Sequence, residues 1–408
     1  MGARATDALR AATARGRAEE LALRPWREGD ERPHAPLRRF VALGDPQAPA
    51  DTVFRVLAAR DLLGDDGFLA PDVSLLSIGD HFDYKGGEPP AASRDGLLVL
   101  RWLAAHAPTQ TTMILGNHDV ARVMELVGLD DAAFAGARDL ARAVAQRETD
   151  GAADEAERLR ADFARRYPAI ATPQLVARDY NSYTVAQREL LLALLLGGRV
   201  ALARSGWLPG GRELLCTHAA VTTRELRLLG IEAERHPRAI AARLNRFLAE
   251  AVGAVAAAWR AGERVPLSLE PLVVAGGPGE EAGGLLAHRP VNPDRRLRPD
   301  ADLAWELSPA RPRRYDPRDL PRGLLQAAGH TPHRTSLREL VGWLGPHAPA
   351  PDGLRTLRVA GDRPVYDTGI LPVEVDEAGL YLIDGEMAKT APEAYAVLQL
   401  AGWEEPPG

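Results

Sequence analysis

The sequence predicts an α/β protein built around parallel strands. Short apolar runs alternate with stretches of helical spacing in the order β-α-β-α-β between residues 38 and 115. This order is typical of parallel strands joined by right-handed crossovers. Each run also stops abruptly at polar side chains, which are then held at the carboxyl end of a buried strand, where open α/β sheets place their sites. The residues that follow the strands are therefore the candidates for function.

Composition limits the classes of protein that need to be considered. The chain has 408 residues, 46% of them hydrophobic, enough for a large core, and a formal net charge of -6, which does not favour nucleic acid as a partner. Cys216 is the only cysteine, so no disulfide can form within the chain. No run of about 18 apolar residues occurs, so we expect no membrane partner and a cytoplasmic location.

The elements follow in order. Residues 1–35 form a leader, predicted as a helix followed by a proline-containing loop. Buried strands are predicted where short apolar or β-branched runs end at a turn, and a helical spacing occupies the segments between the early strands. The predicted strands are 38–43, 73–78, 111–115, 212–216, 324–328 and 379–384, and the helices between the first three are 51–63 and 94–106.

Residues 125–200 differ from the rest because alanine, arginine, glutamate and leucine dominate there. We interpret this segment as a helical insertion that ends in a helix over 185–196. The insertion lies within one domain spanning 36–390, and residues 391–408 form a C-terminal tail.

Five of the predicted strands end next to a side chain that can bind a metal ion. Carboxylate, amide and imidazole groups together suit a borderline divalent ion such as Mn, Fe or Zn, whereas a calcium cage would be all oxygen and structural zinc would need thiolates. The residues concerned are Asp45, Asp80, Asn117, His218 and His330.

In their order, these motifs resemble those of the calcineurin-like metallophosphoesterases. The sequence has Gly44-Asp45, Gly79-Asp80 with Asp83, Gly116-Asn117-His118-Asp119, an isolated His218, and Gly329-His330-Thr331-Pro332. The last form resembles the protein-phosphatase and dinucleotide-phosphatase branches. The resemblance implies a four-layer α-β-β-α sandwich with the site along the strand ends at one edge.

The resemblance also implies a role for each motif. Two divalent ions would be bridged by Asp80, the first bound by Asp45 and Gln47. The second would be bound by Asn117, His218 and His330. A metal-bridging water would attack phosphorus, and His118, oriented by Asp83, would protonate the leaving oxygen.

Three departures from the family pattern matter. Gln47 stands where the family usually has a histidine ligand, so we expect the first metal site to be weaker or to select a different ion. Lys85 lies near the position where the protein-phosphatase branch has an arginine, and it could hold phosphate only as a point charge. His333 comes one position later than the second histidine of branches that have one, so its role as a ligand stays open.

Other residues have competing interpretations. Arg122 could face the phosphate or be solvated, and Arg289 is a candidate phosphate contact. His81 is expected at the surface because it points away from the motif carboxylates in a regular turn. Cys216 is expected in the core.

The predicted function is hydrolysis of a phosphomonoester on a protein, nucleotide or small molecule. The alternatives are a metal-poor family member that acts as a binding protein and a hydrolase of nucleotides or dinucleoside polyphosphates. Retention of both His118 and Asp83 favours an enzyme, because a binding protein has no use for a proton donor.

Overall fold

A computed structural model describes residues 3–84, 88–274, 276, 282–294, 312–345 and 353–403. The protein is a mixed α/β structure with several sheets, so the predicted α/β class is confirmed. The helices of eight residues or more are α1 (Ala3–Ala22), α2 (Ala50–Ala59), α3 (Pro89–Leu103), α5 (Asp131–Thr149), α6 (Ala153–Arg166), α7 (Val185–Leu196) and α9 (Pro237–Arg260). Shorter helices are α4 (Asn117–Val120), α8 (Thr223–Leu228) and α10 (His333–Glu339).

The first sheet has five strands in the order β15-β1-β2-β3-β4. Strands β1 to β3 are parallel to their neighbours, as the β-α-β-α-β pattern predicts; β4, which was not predicted, is parallel to β3, and β15 runs antiparallel at the opposite edge. These four parallel strands therefore bring their carboxyl ends to one edge. The bounds are β1 (Arg39–Leu43), β2 (Val73–Ser77), β3 (Thr111–Ile114), β4 (Val200–Ala201) and β15 (Leu398–Leu400).

The second sheet has seven strands in the order β13-β12-β14-β11-β6-β5-β16. Its central neighbours β6, β11 and β14 are parallel, and all three were predicted as strands. The hairpin of β12 and β13, the strand β5 and the edge strand β16 were not predicted. The bounds are β5 (Ala203–Trp207), β6 (Glu213–Thr217), β11 (Leu325–Ala328), β12 (Arg355–Ala360), β13 (Arg363–Thr368), β14 (Ala378–Leu382) and β16 (Gly402–Trp403).

Two short ribbons complete the described strands. The strands β7 and β8 are antiparallel, and β9 and β10 are parallel. Their bounds are β7 (Val273–Val274), β8 (Gly283–Gly284), β9 (Arg289–Pro290) and β10 (Arg314–Tyr315).

Apolar side chains from both sheets share one buried cluster. Ala42, Leu76 and Ile114 contribute from the first sheet, and Cys216 and Ala327 from the second. Cys216 has no exposed surface, so its predicted place in the core is confirmed. Burial of these faces against one another removes apolar area from water and holds the two sheets in a fixed relation.

The leader begins with α1, which packs on the main core rather than standing apart from it. Ala14 and Ala18 are fully buried in the same cluster as residues of α2 and α3. Arg15 lies 3.4 Å from the Asp95 carboxylate of α3. The predicted leader helix is thus confirmed.

The helical character predicted for the insertion is confirmed by α5, α6 and α7, with a short π-helical turn over Leu175–Asp179. Phe134, Phe163, Tyr180 and Tyr183 lie in a separate buried cluster within it. Among the described residues, no helix is both long and apolar enough to cross a bilayer.

Candidate metal centre

The metal-competent side chains predicted from the sequence lie where the two sheets meet. Asp45 and Asp80 follow β1 and β2, whereas His218 and His330 follow β6 and β11. Two hydrogen bonds join the sheets at this edge: the His330 backbone N–H donates to Asp45 Oδ2 (2.9 Å), and His218 Nδ1 lies 2.8 Å from the Ile78 carbonyl oxygen. The strand ends of both sheets therefore form one site.

Three of these side chains form a compact donor cluster. One atom each of Asp80, His218 and His330 lies within 4.8 Å of the others, and all three residues are buried. Asn117 adds an amide oxygen, because its Oδ1 lies 3.2 Å from His218 Nε2. A carboxylate, an amide and two imidazoles make a donor set suited to a borderline divalent ion.

The hydrogen bonds of the two imidazoles leave one nitrogen of each available as a ligand. His218 Nδ1 donates to the Ile78 carbonyl, and His330 Nε2 donates to the Ala287 carbonyl at 2.9 Å. The opposite ring nitrogens, His330 Nδ1 and (once deprotonated) His218 Nε2, would therefore be the ligand atoms. Metal-binding histidines are oriented in this way, since the second nitrogen fixes both tautomer and ring plane.

The charges within the cluster are arranged to hold a cation. Burial opposes protonation of His218, but the neighbouring Asp80 carboxylate outweighs it and raises the His218 pKa to about 10. Burial would also raise the pKa of Asp80, yet His218 and His118 hold that pKa well below its ordinary value. A metal ion bound here would satisfy the same carboxylate, and ligation by His218 would displace its proton.

The backbone at this edge is strained. Asp80, Asp83 and His330 have φ values of 55°, 66° and 59°, in the left-handed region that non-glycine residues rarely adopt. Such strain costs about 1–3 kcal/mol per residue and concentrates at functional sites. A Cβ at Gly116 would collide with the Asp80 carboxylate, so the close approach of the second and third motifs requires glycine there.

Asp119 holds the turns that carry Asp80 and Asn117. Its buried carboxylate accepts hydrogen bonds from the backbone N–H groups of Asp80 (3.0 Å), His81 (2.9 Å) and Gly116 (2.9 Å). Asp119 therefore joins the turn after β2 to the turn after β3. The expected surface position of His81 is wrong: it is 3% exposed, because its Nδ1 lies 3.0 Å from Asp119 and its Nε2 lies 2.9 Å from Ser77 Oγ.

His118 and Asp83 lie beside the cluster as a hydrogen-bonded pair. His118 Nδ1 is 3.1 Å from Asp83 Oδ2, and His118 Nε2 lies 4.0 Å from Asp80 Oδ2. Burial disfavours the imidazolium, but the Asp80 and Asp83 charges outweigh it and raise the His118 pKa. The ring is therefore oriented by one carboxylate and directed at the metal-competent one.

Arg122 is not solvated, so that interpretation is wrong. Its side chain is fully buried, with Nη1 2.6 Å from Asp83 Oδ2 and its guanidinium 4.6 Å from the centre of the Phe82 ring. Although burial opposes ionisation of Asp83, Arg122 and His118 hold its pKa well below the ordinary value. Arg122 therefore keeps Asp83 charged.

The insertion contributes residues that the sequence interpretation missed. The Ser182 backbone N–H and Oγ–H both donate to Asp83 Oδ1, at 3.0 and 2.6 Å. The Tyr180 ring meets the His118 ring edge-on with 5.3 Å between centres. No sequence signal marked Ser182, since its partner is 99 residues away.

Asp45 and Gln47 lie outside the three-residue cluster, next to a small cavity of about 80 Å³ that Asp384 also lines. Gln47 Nε2 donates to the Phe82 carbonyl (3.0 Å), so its amide oxygen remains available. Burial and the Asp384 charge raise the Asp45 pKa well above its ordinary value. Asp384 was missed, although it ends a predicted strand just as the other candidates do.

The candidate phosphate contacts lie in different surroundings. Arg289 Nε donates to the His330 carbonyl (3.3 Å), so its guanidinium is beside the cluster. His333 Nδ1 lies 2.9 Å from Tyr366 Oη, and His333 is not part of the cluster. Lys85 is outside the described residues.

Comparison with known proteins adds no relative. No protein-family model matches the chain, and no curated protein does. The geometry of the site is therefore the basis for assigning a function to this protein.

Proposed function

We propose that this protein is a metal-dependent phosphomonoesterase of the calcineurin-like type. One observation carries the proposal. A histidine with a carboxylate partner, His118 with Asp83, directs its second nitrogen at Asp80 within a cluster that can bind a divalent ion. Metal ligands and a proton donor are the two parts that hydrolysis of a phosphate ester requires.

We also propose the four-layer arrangement for the fold, with two sheets packed face to face and helices on the outer sides. The buried cluster shared by Leu76 and Ile114 of one sheet and Cys216 and Ala327 of the other supports this arrangement. On the opposite side of the first sheet, Leu75 and Met113 lie in a second cluster with Phe54 of α2 and Trp102 of α3. Both faces of the first sheet would then be covered.

Asp80, Asn117, His218 and His330 would hold one divalent ion, and the backbone hydrogen bonds that orient the two imidazoles support this assignment. Asp80 would also contact a second ion, held more weakly beside Asp45. The metal ions, when bound, supply a water of lowered pKa and offset negative charge on the phosphoryl oxygens.

His118 would donate a proton to the leaving oxygen from Nε2. Asp83 holds the Nδ1–H tautomer and stabilises the imidazolium, which keeps the acid protonated near neutral pH. Arg122 pairs with Asp83 Oδ2, the oxygen that also accepts from His118, and would act through that carboxylate rather than on the phosphate.

Arg289 is the basic residue that we assign to the phosphate. It adjoins the cluster through His330, and among the described residues no carboxylate lies within ion-pair distance of its guanidinium. Burial and the nearby Arg314 lower its pKa, as expected for a buried guanidinium with no ion-pair partner among the described residues. A guanidinium binds phosphate through two parallel hydrogen bonds.

The test is metal content by elemental analysis together with hydrolysis of an aryl phosphate in manganese-supplemented buffer. We expect at least one tightly bound ion per chain and turnover that chelation abolishes. Less than one ion per chain and no turnover would overturn the proposal and favour a metal-poor binding protein. Phosphopeptides, sugar phosphates and dinucleoside polyphosphates would then define the phosphorylated substrate.

A further inference from the structure

We propose that Ser182 is a positioning residue for the proton donor, so that docking of the helical insertion on the strand ends is part of the catalytic arrangement. This inference rests on the proposed function. It adds to the site a residue with no counterpart among the sequence motifs, and it assigns the insertion a chemical role.

The Asp83 carboxylate is surrounded by hydrogen-bond donors. Oδ2 accepts from His118 Nδ1 (3.1 Å) and from Arg122 Nη1 (2.6 Å). Oδ1 accepts from the backbone N–H and the hydroxyl of Ser182 (3.0 and 2.6 Å). Each carboxylate oxygen thus has two donors, and Ser182 supplies both donors on the side away from His118.

Burial makes these donors necessary. Asp83 is 3% exposed and Ser182 is 2% exposed, so water does not replace a lost partner at low cost. Asp83 also has a left-handed backbone, with φ of 66°, which its own turn does not favour. The donors that set the plane of the carboxylate, from His118, Arg122 and Ser182, all come from outside that turn, and the plane decides whether Oδ2 faces His118.

Ser182 is itself held by the core of the insertion. Its neighbour Tyr183 packs into the cluster that contains Phe134 and Phe163. Tyr183 Oη donates to the Leu129 carbonyl at 2.8 Å. The serine is therefore fixed by the folded insertion and not by the strand ends that it serves.

Two further contacts tie the same segment to the donor. The edge-on contact of Tyr180 with the His118 ring restricts rotation of the imidazole. Gln187 of α7 accepts from Arg122 Nε at 3.2 Å and donates to the Ser93 carbonyl at 3.1 Å. Residues 180–187 thus contact the proton donor His118, its carboxylate partner Asp83 and the arginine that pairs with Asp83, Arg122.

The consequence is a dependence on the leaving group. A general acid matters most when the departing oxygen is strongly basic and matters little when it is a good leaving group. Loss of Ser182 should therefore slow phenyl phosphate far more than 2,4-dinitrophenyl phosphate. A general loosening of the site would slow both substrates to the same extent.

The experiment compares kcat for these two substrates in the full-length, metal-loaded protein. Ser182→Ala is expected to lower kcat for phenyl phosphate about 10-fold and for 2,4-dinitrophenyl phosphate by less than about 2-fold. Ser182→Thr keeps the hydroxyl and should recover most of the loss. Ser93→Ala is the matched control. Ser93 is also a buried serine, but its hydroxyl donates to Thr184 Oγ1 of the insertion (3.4 Å) and not to Asp83.

A second readout does not require turnover. The Nδ1–H proton of His118, identified by its loss in His118→Asn, should give a downfield proton NMR signal that exchanges slowly with water. Ser182→Ala should accelerate that exchange, whereas Ser93→Ala should not. An unchanged exchange rate, or equal losses of kcat on both substrates, would overturn the inference. Faster exchange in a protein without turnover would support the positioning role and refute the proposed function instead.

Discussion

The backbone N–H of His330 lies 2.9 Å from Asp45 Oδ2 and thereby joins the ends of β11 and β1. The two residues are 285 positions apart and belong to different sheets. The same N–H lies 3.1 Å from Asp45 Oδ1, so both carboxylate oxygens are directed toward the second sheet. Substitutions beside Asp45 can therefore test whether the first metal site is occupied.

Asp384→Asn should reduce the metal content of the protein from two ions per chain toward one. Asp384 lines the cavity beside Asp45 and Gln47, and its carboxylate supplies the negative charge that an amide at Gln47 does not. Elemental analysis after dialysis measures the change. Glu386→Gln is the matched control, because Glu386 lines the same cavity but pairs with Lys389. Two ions retained in Asp384→Asn would contradict this assignment.

His118→Asn should slow turnover by about 10²- to 10⁴-fold, the usual contribution of a positioned general acid. The metal content should stay unchanged, since His118 is not one of the three clustered donors. Stopped-flow or steady-state kinetics and elemental analysis on the same preparation check both halves. Loss of metal along with activity would mean that His118 is a ligand and not the acid.

Asp119→Asn should destabilise the protein by about 2–4 kcal/mol. In the wild-type protein three backbone N–H groups donate to the carboxylate, and the NH₂ group of an amide cannot accept those hydrogen bonds. Metal affinity should fall as well, since Asp119 holds the turn of Asp80. Urea unfolding and metal titration provide the measurements. Asp130→Asn, at the exposed N-cap of α5 where asparagine caps equally well, should change stability by less than about 0.5 kcal/mol. Similar losses in both variants would refute the special role of Asp119.

His106 should make the fold less stable in mild acid. It is buried, with Nε2 accepting from the Leu69 N–H (3.1 Å) and Nδ1 donating to the Trp102 carbonyl (3.0 Å). Burial lowers its pKa from 6.5 to about 4. Between these two pH values His106 is protonated in the unfolded chain but neutral in the folded chain. The contribution of His106 to the free energy of unfolding is therefore complete above pH 6.5 and decreases as the pH falls toward 4.

The expected contribution of His106 is about 2–3 kcal/mol between pH 7 and pH 4.5. His106→Phe removes the titrating group and keeps an aromatic ring beside Trp102, so its unfolding free energy should fall less steeply over that range. The difference in slope between the two proteins is the measured quantity, because other groups titrate equally in both. Parallel profiles would show that His106 does not titrate as expected.

Much of the fold could be predicted because its signals are local. The runs ending near Leu43, Ser77 and Ile114 are strands, and a strand followed by a turn needs only a few consecutive residues to be recognised. The hairpin of β12 and β13 was missed, since its face is set by pairing with β14 rather than by a clear alternation of its own.

The burial of His81 and the role of Arg122 could not be predicted. His81 is buried because Asp119, 38 residues later, accepts from its ring. Arg122 is buried because it lies between Asp83 and the Phe82 ring. In both cases the deciding partner is distant in the chain, and a side chain's own neighbours in sequence do not report it.

By itself, the sequence determined the α/β class and the residues that follow the strands, among them Asp80, Asn117, His218 and His330, because both depend on local periodicity and on where each strand stops. The tertiary structure alone decided which of these residues meet. It joined Asp80 to the two histidines as one cluster, left Asp45 beside Asp384, and brought Ser182 of the insertion to Asp83. These contacts depend on how two sheets and an inserted set of helices pack, which no single stretch of residues encodes.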